Sequence, residues 1–192
     1  MTMQYTQDWF SHNVPGLLNM LKQVPDKQNF LEIGSFEGRS TCWFLQHAMA
    51  KDGSITCIDT FRGSEEHAGM DLSEIKERFL HNTAQAKAKK QTVEVMEMPS
   101  FQGLGKLLGE NRLYDFIYVD GSHISADVMS DACMAYNLLR FKGVMVFDDY
   151  LWGGELPVLH SPKMAIDMFC TLFKEKVNIV MIGYQLAVIK VA

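Results

Sequence analysis

The chain has 192 residues, 47% apolar and 21% charged, with a formal net charge of −5; this suits one globular domain with a sizeable core and disfavours nucleic acid or an anionic membrane as a partner. Its densest basic cluster, Lys87-Ala88-Lys89-Lys90, reads as the solvated end of a helix, and no apolar run approaches the roughly 20 residues of a membrane span. Cys42, Cys57, Cys133 and Cys170 form no CxxC pair and sit in apolar patterns; they are expected to be buried free thiols, and with no apolar signal segment the expected setting is cytoplasmic.

Residues 7–24 predict a helix interrupted near Val14-Pro15-Gly16, with Trp9, Phe10, Leu17, Leu18 and Leu21 as an apolar stripe that covers a sheet edge or forms a lid. Strand one is expected over 29–34 and a helix over 39–50. After the Asp52-Gly53 turn, strand two covers 54–59 and a loop 60–70. A charged amphipathic helix is expected over 72–89, strand three over 92–96 and a helix over 101–108, with Ser100 as its N-cap or as a ligand contact at a strand end. Strand four, 114–120, is apolar apart from its ends and so suits a central position buried on both faces. A helix over 125–140 closes on Phe141-Lys142-Gly143, and strand five is 144–147. A Gly-, Pro- and Trp-containing loop, 151–162, precedes a helix over 163–174. The segments 177–182 and 185–191, separated by Gly183-Tyr184, predict a β-hairpin. Five β-α alternations followed by a helix and a hairpin imply an α/β fold: a doubly wound, mostly parallel sheet. The domain expectation is a helical cap over 1–28 and a core over 29–192.

The chain is organised around Asn29 to Ser40, NFLEIGSFEGRS. An apolar strand breaks at Gly34, Gly38 follows, and a helix begins. Glycines let such a turn take unusual dihedrals and approach a ligand closely, and the helix N-terminus presents free N–H groups there. Asp59 ends strand two, where a carboxylate can accept from ribose hydroxyls; capping is the alternative. The spacing Gly34-Ser35-Phe36-Glu37-Gly38 is not the G-x-G-x-x-G of nicotinamide-binding domains.

Glu32-x-Gly34-x-x-x-Gly38, together with Asp59 and the terminal hairpin, resembles motif I and the core of the class I S-adenosylmethionine-dependent methyltransferases. EIGSFEGRST, IDTFRGSEEH, FIYVDGSHISADVMSDA, GVMVFDDY and YQLAVIK narrow the resemblance. They are similar to the small family that includes bacterial sugar and macrolide O-methyltransferases, and more distantly to catechol O-methyltransferase. The resemblance implies a Rossmann-like seven-stranded sheet whose last strand is antiparallel and inserted beside the fifth. It also implies a cofactor site that includes Glu32, in which Gly34, Ser35 and Gly38 flank the methionine part, Ser40 holds its carboxylate, Asp59 holds the ribose and Ser100 meets the adenine edge.

Asp120 ends strand four, and Asp148 and Asp149 end strand five. Neighbouring parallel strands bring these three carboxylates together, where their repulsion raises pKa values unless a divalent cation, Mg²⁺ by ligand hardness, neutralises it. The alternative is that they cap loops. Metal-assisted methylation of a small-molecule hydroxyl follows, with Asp120 and His123 as the catalytic candidates. His123 would act as base or pack over adenine as a cofactor contact beside Asp120. Ser122 stands where related sugar enzymes carry an acid. Tyr150 and Trp152 are expected at the site mouth, with His67 and His160 in loops able to close over it. The other readings are a relative with different chemistry, hydroxylase-like for example, or a non-catalytic cofactor-binding module. By the same resemblance a homo-oligomer is possible.

Overall fold

The computed structural model describes residues 2–24, 26–64 and 67–192; Glu65 and Glu66 of the expected 60–70 loop, and Met1 and Pro25 of the expected cap, lie outside them. The strands are β1 (Asn29–Ile33), β2 (Ser54–Asp59), β3 (Thr92–Glu97), β4 (Tyr114–Val119), β5 (Leu139–Phe147), β6 (Val177–Ile182) and β7 (Leu186–Lys190). They form one seven-stranded sheet in the order β3-β2-β1-β4-β5-β7-β6. Six strands run in one direction; β7 alone is antiparallel and lies between β5 and β6, inserted beside the fifth strand as the resemblance implied. This is a Rossmann-like α/β architecture. All six residues of β4 are buried, as its apolar run predicted.

The helices are α1 (Val14–Met20), α2 (Arg39–Trp43), α3 (Ile75–Ala86), α4 (Ser100–Gly109), α5 (Ser125–Leu138) and α6 (Pro162–Leu172). Side chains alternate across each strand, so the sheet supplies two apolar faces. One joins Leu31, Ile117 and Phe147 to Leu104, Ala132 and Phe169 of α4, α5 and α6. The other joins Phe30, Phe116 and Val146 to Leu17, Phe44 and Phe79. Strands β1 and β4 leave the sheet centre together, and the chain crosses from one face to the other between them, which opens a crevice at their carboxyl ends.

Four local expectations are corrected. Residues 7–10 are not helical; a short 3₁₀ turn, Ser11–Asn13, leads into α1 with Pro15 in its first turn. Proline lacks an N–H, which costs nothing where the donor has no intrahelical partner, so Val14-Pro15-Gly16 starts the helix and does not interrupt it. Phe10, Leu17 and Leu21 are buried, whereas Trp9 and Leu18 are exposed, so the five do not make one stripe. The helix after β1 changes at Phe44 to one π-type turn, Phe44–Ala48. Finally, α5 ends at Leu138 and β5 begins at Leu139, which pairs with Tyr114 before a register shift. Phe141-Lys142-Gly143 therefore lies inside an irregular strand, with Lys142 at φ 64°, and is not a helix cap. Cys42 and Cys57 are buried; Cys133 and Cys170 are only partly so, and all four are free. Among the described residues no helix is long and apolar enough to cross a membrane.

Candidate active site

The carboxyl ends of β1, β2, β4 and β5 open into a cavity of about 1460 Å³. Gly34, Ser35, Ser40, Asp59, Ser100, Asp120, His123, Asp148 and Asp149 all line it. Glu32 and Gly38 do not, and the reason is local.

Glu32 is fully buried under the β1–α2 turn. Its Oε2 accepts from Ser35 Oγ (2.6 Å) and from Thr41 Oγ1, while Oε1 has no partner among the described residues. Burial holds the Glu32 carboxyl above its ordinary range, against the lowering effect of these donors. Gly34 has φ +81°, and a Cβ there would collide with the backbone carbonyl of Asp120. Gly38 has φ +77°, and a Cβ would meet Phe79 Cδ2 at 2.9 Å. Both glycines thus serve close approaches within the chain itself: the first lets β1 press on β4, the second lets α2 start against α3.

Asp59 fastens the same turn. Its Oδ2 accepts from the backbone N–H of Ser35 (2.6 Å) and Phe36 (2.8 Å), and Oδ1 from Phe61 (2.7 Å). A carboxylate offers about four lone-pair sites, so about one is left for another donor. Ser100 is the first residue of α4 and makes no capping bond, so its N-cap expectation fails; Pro99 occupies that position. Beneath it lies Asp131, whose buried carboxyl has one oxygen with no partner among the described residues and is pushed up to about 6 by burial.

On the other side, ligand atoms of Asp120, Asp148 and Asp149 lie within 4.8 Å of one another. Burial and the neighbouring carboxylates raise Asp120 well above its ordinary pKa. Asp148 is pushed up to about 7 by burial and by Asp149. Three residues that the sequence reading missed hold this group. Asn13 Nδ2 donates to Asp148 Oδ1 (2.7 Å), and Gln185 Nε2 donates to the same oxygen and to Tyr118 Oη (3.0 Å). Tyr184 Oη donates to Asp149 Oδ1 (3.1 Å), while His123 Nε2 meets Asp149 Oδ2 at 2.8 Å. Both bonds to Asp148 land on Oδ1, leaving Oδ2 outside them. Among the described residues no other group of three acidic, His or Cys side chains has such spacing.

Trp152 stacks on His123 with centroids 4.0 Å apart. Trp9 and His67 both contact Phe36, and His67 and His160 line the cavity as expected. Tyr150 does not: it is buried, and its hydroxyl binds Asp167 and Lys163. The N-terminal segment closes the rim. Thr6 donates through N (2.6 Å) and Oγ1 (2.8 Å) to Glu37, which Arg78 also binds at 2.9 Å.

A family model described as a methyltransferase domain matches residues 31–150, more than half of the chain. The chain belongs to that methyltransferase family. It is 29% identical over 140 residues to tapetum-specific methyltransferase 1 of Arabidopsis thaliana, covering 72% of this chain and 54% of the relative. It is 27% identical over 144 residues to caffeoyl-CoA O-methyltransferase of Zinnia elegans, covering 72% and 52%. The chain thus spans about half the length of these relatives. In fold it is similar to an O-methyltransferase from Bacillus cereus solved with SAH, with TM-score 0.68, 21% identity and coverage of 98% and 84%. The methyltransferase-domain match includes Glu32, Asp59 and all three clustered aspartates, but Asn13, Tyr184 and Gln185 lie outside it.

Proposed function

We propose that this chain is an S-adenosylmethionine-dependent O-methyltransferase that employs a divalent cation, Mg²⁺ by ligand hardness, and acts on a hydroxyl of a small molecule. The observation that carries the reading is the Asp120, Asp148 and Asp149 group sharing one cavity with the Gly34 turn. We read the chain as one methyltransferase domain with its N-terminal segment as cap. Four free cysteines support a cytoplasmic setting.

The residues fit both groups. Glu32 lies beneath the cavity floor, and its Oε1, with no partner among the described residues, suits a water that bridges to the cofactor's ammonium. Ser40 lines the methionine end, Asp59 keeps room for a ribose hydroxyl, and the α4 N-terminus at Ser100 faces the adenine end. Three close carboxylates with two raised pKa values fit a hard dication, which relieves their repulsion. When bound, the cation lowers the pKa of an acceptor hydroxyl and the cofactor supplies an electrophilic methyl group.

The chain's own residues then do three things. Asn13 and Gln185 fix the Asp148 carboxylate so that its rotamer is set before anything binds. His123, stacked on Trp152, holds its Nε2 proton on Asp149 Oδ2 and so orients that carboxylate; it is the base nearest the aspartates and serves as one only when Nε2 is released from that bond. Trp9, Phe36 and the 2–13 segment cover the rim and exclude water.

The test is transfer of labelled methyl from S-adenosylmethionine to a panel of small hydroxyl compounds, in Mg²⁺ and in EDTA, with Asp120→Asn alongside. We expect transfer in Mg²⁺ and a loss of roughly a hundredfold or more in EDTA and in Asp120→Asn. Undiminished transfer in EDTA sinks the metal requirement. Absence of cofactor binding sinks the activity itself.

A further inference from the structure

Charge in this molecule follows the strand direction. Six stretches lie at the amino ends of the six co-directional strands: 26–28, 51–53, 87–91, 110–113, 140–143 in the irregular first half of β5, and 174–176. With Lys190, which pairs with Val177 at the end of β7, they carry eleven Lys and Arg against four Asp and Glu. At the opposite ends, the described residues of 34–39, 60–74, 120–124 and 148–161 carry seven Asp and Glu against Arg39 and Arg62. The formal charge of −5 is thus the sum of a basic end and an acidic end, and it disfavours an anionic partner only for a chain whose charge is spread evenly. The basic stretches form one continuous face. Buried Asp115 accepts from the amides of Gln28 (3.0 Å) and Asn29 (2.8 Å) and from Arg140 (2.7 Å), and Gln91 Nε2 donates to Ala50 O (2.9 Å). Arg140 is used up on Asp115, and Arg112 on Glu94 and Glu110. Lys27, Lys51, Lys87, Lys89, Lys90 and Lys142 make no ion pair among the described residues. Two apolar side chains stand among them: Phe141 is 62% exposed, with Lys142 Nζ 5.6 Å from its ring, and Leu113 is 48% exposed.

We infer that this amino-end face docks the protein on an anionic lipid surface, with Phe141 as a shallow apolar anchor and the cavity turned toward solution. Seven strands spaced about 4.8 Å apart make a row roughly 30 Å wide, so the lysines are presented along a broad front. The large cavity opens at the other end. Single-stranded nucleic acid is held in a groove with several stacking rings, whereas these stretches carry one aromatic residue, Phe141. Lysines near a negatively charged leaflet are attracted within a Debye length, and their long stems let the ammonium groups reach the headgroups while an apolar tip inserts between them. The inference is independent of the methyl-transfer reading.

The experiment is co-sedimentation of the full chain with vesicles. Phosphatidylcholine vesicles containing about 30% phosphatidylserine should retain it in about 0.1 M salt, and pure phosphatidylcholine vesicles should not. Raising salt to about 0.5 M should release it. Lys89→Glu with Lys90→Glu should weaken retention roughly tenfold or more. Arg62→Glu with Lys76→Glu makes the same change in total charge at the other end of the strands, and retention should stay within about twofold of wild type. Phe141→Ser should cost roughly fivefold, through lost apolar insertion. All these positions are exposed, and unchanged circular dichroism checks that each variant is folded. Equal losses in the two charge-reversal pairs would reduce the effect to net charge and overturn the assignment of this face. So would failure to bind the phosphatidylserine vesicles, equal binding to both kinds of vesicle, or tighter binding to a single-stranded oligouridylate than to the anionic vesicles.

Discussion

The two halves of the cavity are built on different principles. The cofactor half is local: Glu32, Ser35, Gly38 and Thr41 lie within ten residues, and Asp59 reaches back from the adjacent strand to hold the Ser35 and Phe36 amides. The aspartate half is assembled at a distance. Its donors come from Asn13, 135 residues before Asp148, and from Gln185, 37 residues after it. A local turn is fixed once its strand and helix form, while the second half is complete only when the chain's beginning and end have both docked. The cofactor half should therefore fail by unfolding and the aspartate half by losing affinity.

The sharpest break lies at Gly34. Gly34→Ala combines a positive φ with collision against the Asp120 carbonyl, so β1 and β4 must separate. We expect a loss of about 4 kcal/mol in urea unfolding. Next comes Glu37→Ala, which leaves Arg78 and the Thr6 amide without their buried acceptor. The loss should be smaller than at Gly34, because Arg78 keeps Glu74 as a partner, and faster amide exchange at Thr6 should show the N-terminal segment released. If global stability falls with no change in that exchange, the strap is not held through Glu37.

Asp131 gives a pH-dependent test of the cofactor half. Its pKa is raised to about 6 by burial, so its contribution to stability is full below the unfolded carboxylate value and is lost as pH rises through about 6. Asp131→Asn should match wild type near pH 4 and exceed it by about 2 kcal/mol above pH 7. A constant difference across that window would mean that the carboxyl does not titrate there. The smallest effect is expected in the other half. Asn13→Ala removes one donor from Asp148, and we expect about tenfold weaker Mn²⁺ binding by calorimetry with little change in cofactor affinity. An equal loss in both affinities would erase the distinction between the halves.

The pattern of the chain carried much of this. Strand β2 matches its expected bounds, β4 is buried throughout, and the terminal hairpin signals the antiparallel insertion. Asp120, Asp148 and Asp149 were legible because parallel neighbours must align their carboxyl ends. Asn13 and Gln185 carried no comparable signal: an amide in a short helical turn and another after a hairpin turn look like surface polar residues until their partner is known. The misread boundaries have the same origin. Leu139 follows a good helical pattern, but pairing with Tyr114 outweighs that local preference.

By itself, then, the sequence determined the order and type of the elements, the Gly34 turn and the convergence of three carboxylates, because hydrophobic period and strand-end position are local properties of the chain. Only the tertiary structure decided that both glycines relieve contacts within the protein, that Glu32 lies beneath the cavity and Tyr150 away from it, and that Asn13, Tyr184 and Gln185 hold the aspartates. Those assignments depend on which side chains meet across the fold, and spacing along the chain does not encode that.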